Sequence, residues 1–189
     1  MHKNVRRSDS LAHEIESFIE NLEEMNKLWD TDISEILEIS PKVVDLIKEI
    51  KASKDQTGNK KEMVKTDLTK LGELFNNMER IDALMYDLLI EIEGLEFPLK
   101  STRKLMELNK EEEENNKLLQ TFAQNISKTI TFVGDKSVDS ELLSSSLNSF
   151  ENAYNDYCKI VERSRELISN LRLELDKELK KARKYGDIV

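Results

Sequence analysis

The chain has 189 residues, of which 38% are hydrophobic, 6% are aromatic and 35% are charged, and its formal net charge is −9. The negative charge argues against nucleic acid as the main ligand, because binding to phosphates requires an excess of Lys and Arg. The single cysteine, Cys158, excludes an internal disulfide and is typical of a reducing compartment. Because no apolar run approaches about 18 residues and no apolar segment follows the first charged residues, we expect a soluble, cytoplasmic protein with neither a membrane-spanning helix nor a signal peptide.

Low apolar content combined with high charge is also typical of disordered chains, but here the apolar residues recur at strict helical intervals. Only five Gly and two Pro interrupt the pattern. The sequence therefore predicts an all-α protein with a thin core, an elongated up-down-up-down bundle of four antiparallel helices with coiled-coil packing. The predicted segments are a flexible N-terminus at 1–8, helices at about 9–52, 62–96, 99–133 and 138–184 within one domain at 9–185, and a tail at 186–189.

The first predicted helix carries a heptad seam, in which apolar residues alternate in steps of three and four. The seam consists of Leu11, Ile15, Phe18, Leu22, Met25, Trp29, Asp32, Ile36, Ile39, Val43, Leu46 and Ile50. Pro41 falls inside the seam and would normally end the helix, yet the heptad phase is the same on both sides of it. We therefore predict one helix that is kinked near Pro41, or two helices that stay nearly collinear, with Ile39 and Val43 facing the same core.

The second helix has a regular seam, whereas the seam of the third is interrupted. The second seam consists of Leu71, Leu74, Met78, Ile81, Met85, Leu88, Ile92 and Leu95. Gly94 is expected to end this helix. In the third helix a block of Glu and Asn occupies residues 111–116. Because Glu112 and Asn115 of this block are in core register, we predict either local loosening or a polar layer there.

The last helix is predicted to be the principal wall of the core, because its seam is among the longest and carries three aromatic residues. The apolar seam consists of Leu143, Leu147, Phe150, Tyr154, Tyr157, Val161, Ile168, Leu171, Leu175 and Ala182. Ser164 and Glu178 fill its polar positions, either where the bundle is wide and solvated or where a polar side chain sets the register or accepts a partner's side chain. Because the outer helices are longer than the inner two, we expect the seam ends at Leu11, Leu175 and Ala182 to be partly uncovered and open to a partner.

Residues that carry catalysis or bind metals are scarce. Neither of the two histidines, His2 and His13, has a Glu three residues before it, as the Glu-x-x-His motif of di-metal bundles requires. Cys158 stands at the edge of the seam, where a packed and inert thiol is expected rather than a nucleophile. The sequence contains no glycine-rich phosphate loop. We therefore predict neither an enzyme nor a protein with a cofactor or metal site.

Basic residues concentrate where the predicted up-down order brings together the N-terminus, the start of the third helix and the end of the fourth. The candidate interaction surface consists of Lys100, Arg103, Lys104, Lys177, Lys180, Lys181, Arg183 and Lys184. Lys3, Arg6 and Arg7 are expected at the same end. The helix dipole favours cations at the end of the fourth helix but does not explain those of the other two segments. Such a surface fits an acidic protein partner or an anionic membrane.

These features predict a non-enzymatic interaction protein, which serves as a coiled-coil scaffold, an adaptor or a subunit of a larger assembly and binds other proteins, or itself, through helical surfaces. The alternative is a peripheral protein that binds a membrane surface through the basic end of the bundle. The segment from Arg6 to Ser10 resembles a basophilic kinase site, so Ser8 and Ser10 are candidate modification sites. The helical periodicity is common to many coiled-coil assemblies and selects no family.

Overall fold

The computed structural model describes residues 2–52, 58–95, 99–130 and 140–186, and these residues are helical almost throughout, which confirms the predicted all-α class. The helices are α1 (His2–Ala52), α2 (Gly58–Glu93), α3 (Lys100–Ile130) and α4 (Ser140–Gly186). α1 begins at His2 rather than near residue 9, because neither Gly nor Pro interrupts the residues before it. α2 ends just before Gly94, whose N–H bonds back to the Ile90 carbonyl at 3.1 Å.

Some of the predictions concern residues outside these ranges. Most of the loop between the first two helices, the predicted end of the third helix near residue 133, and the last three residues of the chain are among them. The backbone of residues 2–9 is helical, but their side chains, including those of Lys3, Arg6, Arg7 and Ser8, lie outside the description.

The chain divides into two compact units, and every helix contributes to both. Unit 1 consists of Met1–Trp29, Ile81–Lys110 and Glu162–Val189, and unit 2 consists of Asp30–Arg80 and Glu111–Val161. In unit 1 the buried apolar residues include Ile15, Met85, Leu105 and Leu171. In unit 2 they include Ile36, Leu71, Leu119 and Phe150. Each unit therefore has a core of its own, to which all four helices contribute.

Burial along α1 follows the predicted seam at every seventh residue and departs from it in between. The seventh residues Ile15, Leu22, Trp29, Ile36, Val43 and Ile50 are all buried. The rest of the buried stripe includes Ile19, Ile33, Ser40 and Ile47, whereas the predicted Asp32, Ile39 and Leu46 are only half-buried. In a helix, steps of three and four residues point about 60° to one side and 40° to the other of the starting residue. Along much of α1 the sequence prediction assigned to the core the residue three positions after each seventh residue, whereas the structure buries the residue four positions after it.

Pro41 lies inside α1, and the helix continues on both sides of it. The chain therefore does not reverse between residues 39 and 42. The unchanged heptad phase had predicted this continuation. Of the two residues expected to face one core, Val43 is buried and Ile39 is half-buried.

The acidic block of α3 forms a polar layer, which was one of the two predicted alternatives. Glu112, Asn115 and Asn116 are buried in unit 2 although the helix continues through them. α2 also buries a carboxylate that the seam did not include. Asp82 of unit 1 is buried, whereas its neighbour Ile81, which the seam did include, is half-buried. These polar groups interrupt otherwise apolar stripes, and burying them requires hydrogen-bond partners.

The seam of α4 is buried along nearly its whole length. Of the apolar residues predicted for it, only Tyr154 is half-buried. Ser164 is buried, and Glu178 is half-buried beside Lys181. The expectation of uncovered seam ends was wrong for Leu175 and Ala182, which are buried, and Leu11 is half-buried. At this end α1 runs beside α4, as the ion pairs of Arg172 with Glu23 and of Arg183 with Glu16 show.

Two leucines of α4 in unit 1 test the importance of the stripe. Leu171 is fully buried and Leu173 is 55% exposed. Leu171→Ala should lower the free energy of unfolding by about 2–5 kcal/mol, because it opens a cavity. Leu173→Ala, the matched control, should change it by less than about 0.5 kcal/mol. Urea unfolding followed by circular dichroism measures both, and equal effects of the two substitutions would contradict this assignment of the core.

Candidate interaction surface

The eight basic residues of the candidate interaction surface all lie in unit 1 and are all exposed. Lys100, Arg103 and Lys104 belong to the first two turns of α3. The other five belong to the last three turns of α4. Both helices bury their apolar residues inside unit 1, so their charged residues face away from the core. The surface is thus made of two short helical segments rather than of a loop.

A part-buried contact joins these two segments. Glu174 of α4 accepts hydrogen bonds from the backbone N–H and from the hydroxyl of Ser101, at 3.3 and 3.0 Å. The first N–H groups of a helix have no partner within the helix, and a carboxylate satisfies them while interacting favourably with the helix dipole. Glu174 therefore caps α3 from another helix. Lys100 is next to Ser101, and Lys177 lies about one turn along α4 from Glu174, so this contact holds basic residues of both helices near each other.

Three of the eight basic residues are engaged by acids of unit 1. Arg103 donates to Glu93 at 2.6 Å, Lys181 to Glu178 at 2.7 Å, and Arg183 to Glu16 of α1. Hydrogen bonds from Arg183 and then from His13 hold the pKa of the Glu16 carboxyl below its usual value. The contacts of Arg103 and Arg183 connect different helices. These two arginines therefore contribute to the packing of unit 1 as well as to its surface charge.

The other five basic residues make no ion pair or hydrogen bond with the described part of the chain. They are the lysines Lys100, Lys104, Lys177, Lys180 and Lys184. Lys177, Lys180 and Lys184 are three and four residues apart, so they project from one face of α4. The exposed Leu173 continues this face by one turn. We call the five lysines that make no such contact the free lysines, and those of α4 present positive charge next to a small apolar contact.

The described residues offer few side chains for a metal site, a membrane-spanning helix or a reactive thiol. Among those residues, no three His, Cys, Asp or Glu are grouped so that they could hold a metal ion. Nor does any helix there have the length and apolar character needed to cross a bilayer. The thiol of Cys158 is partly buried. Ser10, one of the two candidate modification sites, is exposed on α1.

Glu174 is the one residue of this surface that the sequence analysis missed. Nothing in the pattern of α4 marks it, because it is simply a polar neighbour of the seam residue Leu175. The start of α3, however, indicates that a cap from another part of the chain is needed. The helix begins at Lys100 after Leu99, which has no side-chain oxygen and so cannot cap it. A helix without a cap of its own needs one from elsewhere, and a nearby acidic residue is the natural candidate.

The cap predicts a specific effect of Glu174 on stability. Glu174→Ala removes both hydrogen bonds to Ser101 and should lower the free energy of unfolding by about 1 kcal/mol, as the loss of a helix cap does. Glu174→Gln keeps an acceptor oxygen and should cost less. Glu166→Ala, which removes an exposed glutamate of α4, is the control. Denaturant unfolding measures all three, and similar values for Glu174→Ala and Glu166→Ala would show that the cap contributes nothing.

Comparison of the chain with models of protein families, with curated proteins and with solved structures finds no match. No family is therefore assigned. The function proposed below rests on the geometry, burial and charge of this chain alone.

Proposed function

We propose that the chain is a non-enzymatic protein–protein interaction module, a coiled-coil scaffold or adaptor subunit of a larger assembly in the cytoplasm. The observation that carries this proposal is the set of five free lysines on unit 1. Acidic residues outnumber basic ones in the chain by 38 to 29. The chain therefore has enough acids to pair these lysines, yet it leaves them unpaired within the described residues. A positive surface on an acidic protein attracts acidic partners and steers their approach.

We also propose that each unit is an antiparallel, up-down-up-down bundle with heptad packing. Contacts in unit 2 support this order, because Lys42 pairs with Asp67 and Glu49 with Lys60, so that numbers rise along α1 and fall along α2. The same holds for α1 and α4 in unit 1, where Glu23 pairs with Arg172 and Glu16 with Arg183. For α2 and α3 in unit 1, Glu93 pairs with Arg103 and the Tyr86 ring lies 5.4 Å from the Lys110 ammonium. The proposal includes a kink of α1 near Pro41.

The partner that fits the surface best is an acidic segment of another protein. Exposed lysines contribute little affinity one by one, because water and salt screen them. Several together raise the rate of association and select partners of opposite charge. Leu173 adds an apolar contact that a partner side chain can cover, which electrostatic attraction alone would not supply. The expected complex therefore forms rapidly and weakens as salt concentration rises.

The alternative is binding to an anionic membrane surface, and one observation favours it. Lys177, Lys180 and Lys184 project from the same face as Leu173, and basic residues near an anionic bilayer contribute about 1 kcal/mol each. Against it, α4 carries Asp176 just before these lysines and Glu178 between them, and an extended anionic surface repels both carboxylates. A protein partner of limited size can place its acids opposite the lysines and avoid these carboxylates. We therefore favour the protein partner.

Charge reversal at three of the free lysines tests the proposed function. The triple substitution Lys177→Glu, Lys180→Glu and Lys184→Glu should abolish salt-sensitive capture of partner proteins from a native extract, since it replaces attraction by repulsion. The control reverses three exposed basic residues elsewhere, Arg80, Lys128 and Arg163, and so changes the net charge equally. This control should retain capture.

Vesicles that contain phosphatidylserine distinguish the two candidate partners. The proposal predicts little co-sedimentation of the wild-type protein with them at physiological ionic strength. If the wild type bound vesicles, the triple variant did not, and no protein capture depended on the lysines, the partner would be a membrane rather than a protein. Equal capture by the triple variant and by its control would contradict any role for this surface.

A further inference from the structure

Pro41 leaves a gap in the backbone hydrogen bonds of α1. In an α-helix each carbonyl accepts a bond from the N–H four residues later, and proline has no N–H. The Leu37 carbonyl therefore has no helical partner from residue 41, although α1 continues to Ala52. The proline ring also crowds this carbonyl. An unpaired carbonyl away from water is costly, so a substitute donor at this position has a clear physical use.

A side chain of α4 supplies that donor. The Tyr154 hydroxyl donates a hydrogen bond to the Leu37 carbonyl at 3.3 Å, and the bond is part-buried within unit 2. Further along α1, Lys48 bonds Glu151 at 2.7 Å and Lys51 bonds Ser144 at 2.6 Å. These contacts fix this part of α4 beside α1. The tyrosine is therefore held in place on its own helix and meets the one carbonyl that Pro41 deprived of its partner.

The properties of Tyr154 suit this task. A phenol is protonated at neutral pH and can therefore donate, and burial, together with the nearby Cys158, raises its pKa further. Tyr154 is also the only residue of the predicted apolar seam of α4 that is half-buried rather than buried. Its displacement from the centre of the stripe brings the hydroxyl to the backbone of α1. A phenylalanine could fill the same space but could not make this bond.

A neighbouring residue makes this turn of α1 depend more strongly on the tyrosine. Ser40 is fully buried, and its hydroxyl has no hydrogen-bond partner within the described residues. Serine in a helix often bonds the carbonyl four residues before it, and Ser40 does not. The turn from Leu37 to Pro41 therefore has two weaknesses, a missing N–H and an unsatisfied hydroxyl. The bond from Tyr154 offsets the first of them.

We propose that Tyr154 is a latch that holds α1 helical across Pro41. In the closed state its hydroxyl replaces the missing amide. In the open state the hydroxyl withdraws, the Leu37 carbonyl turns to water, and the turn from Leu37 to Pro41 becomes the most easily opened part of α1 in unit 2. The latch is a conformational device within unit 2 and is independent of the free lysines of unit 1. Any change that removes the hydroxyl as a donor would favour the open state.

A double-mutant cycle tests the latch directly. Tyr154→Phe deletes only the hydroxyl and should raise the unfolding equilibrium constant about fivefold, as the loss of one hydrogen bond does. Pro41→Ala restores an N–H for the Leu37 carbonyl. In this second background Tyr154→Phe should change the constant by less than about twofold, because the carbonyl no longer needs the phenol. Equal effects of Tyr154→Phe in the two backgrounds would overturn the proposal.

Hydrogen exchange locates the effect, and a second tyrosine controls for it. In the Tyr154→Phe variant, the amides at 42–46 should exchange faster than in the wild type, and Pro41→Ala should reverse the change. Tyr86→Phe removes a hydroxyl from unit 1 and should show no coupling to residue 41. Unchanged exchange at 42–46 in Tyr154→Phe, or coupling of Tyr86 to residue 41 as large as that of Tyr154, would also overturn the latch.

Discussion

Burial of a narrow apolar stripe on each helix is the constraint on which the rest of this structure depends. Only 38% of the residues are hydrophobic, and most of the large ones are used in the stripes. The remaining faces are consequently charged, and they interact through ion pairs between helices such as Lys48–Glu151 and Arg103–Glu93. Such pairs contribute little stability each, but they bias the register in which helices meet. The free lysines lie on these outer faces of unit 1, where the exposed Leu173 is a small apolar contact beside them.

The stripes were predictable from the sequence because a helix repeats its faces at a fixed interval. Residues such as Ile36, Phe150 and Leu171 stand at heptad positions and are buried. The side of the stripe was harder to predict. Ile33 and Ser40 face the core where Asp32 and Ile39 were expected, since steps of three and four residues flank the same direction on a helix. The neighbouring helices decide between the two sides, and a single stretch of sequence does not contain that information.

Single polar contacts between distant residues were the least predictable feature. The bonds from Ser101 to Glu174 and from Tyr154 to the Leu37 carbonyl join residues 73 and 117 positions apart. In both cases the sequence indicates what is missing, a cap before Lys100 and an N–H at Pro41, but not which side chain supplies it. The same limit applies to the basic surface. Its eight residues could be named from the sequence. Which three of them are paired and which five are free lysines depends on the acids that lie near them in the folded chain.

Amine labelling in a native extract tests the central claim, that the free lysines form a docking surface, most directly. A mild acylating reagent would be applied to the purified protein and to the same protein in the extract, and the modification of each lysine would be measured by mass spectrometry. We predict that Lys177, Lys180 and Lys184 are protected in the extract and that high salt removes the protection. Lys128, which is exposed and has no ion pair or hydrogen bond within the described residues, should react equally in both samples. Equal labelling of all four lysines, with and without extract, would contradict the account.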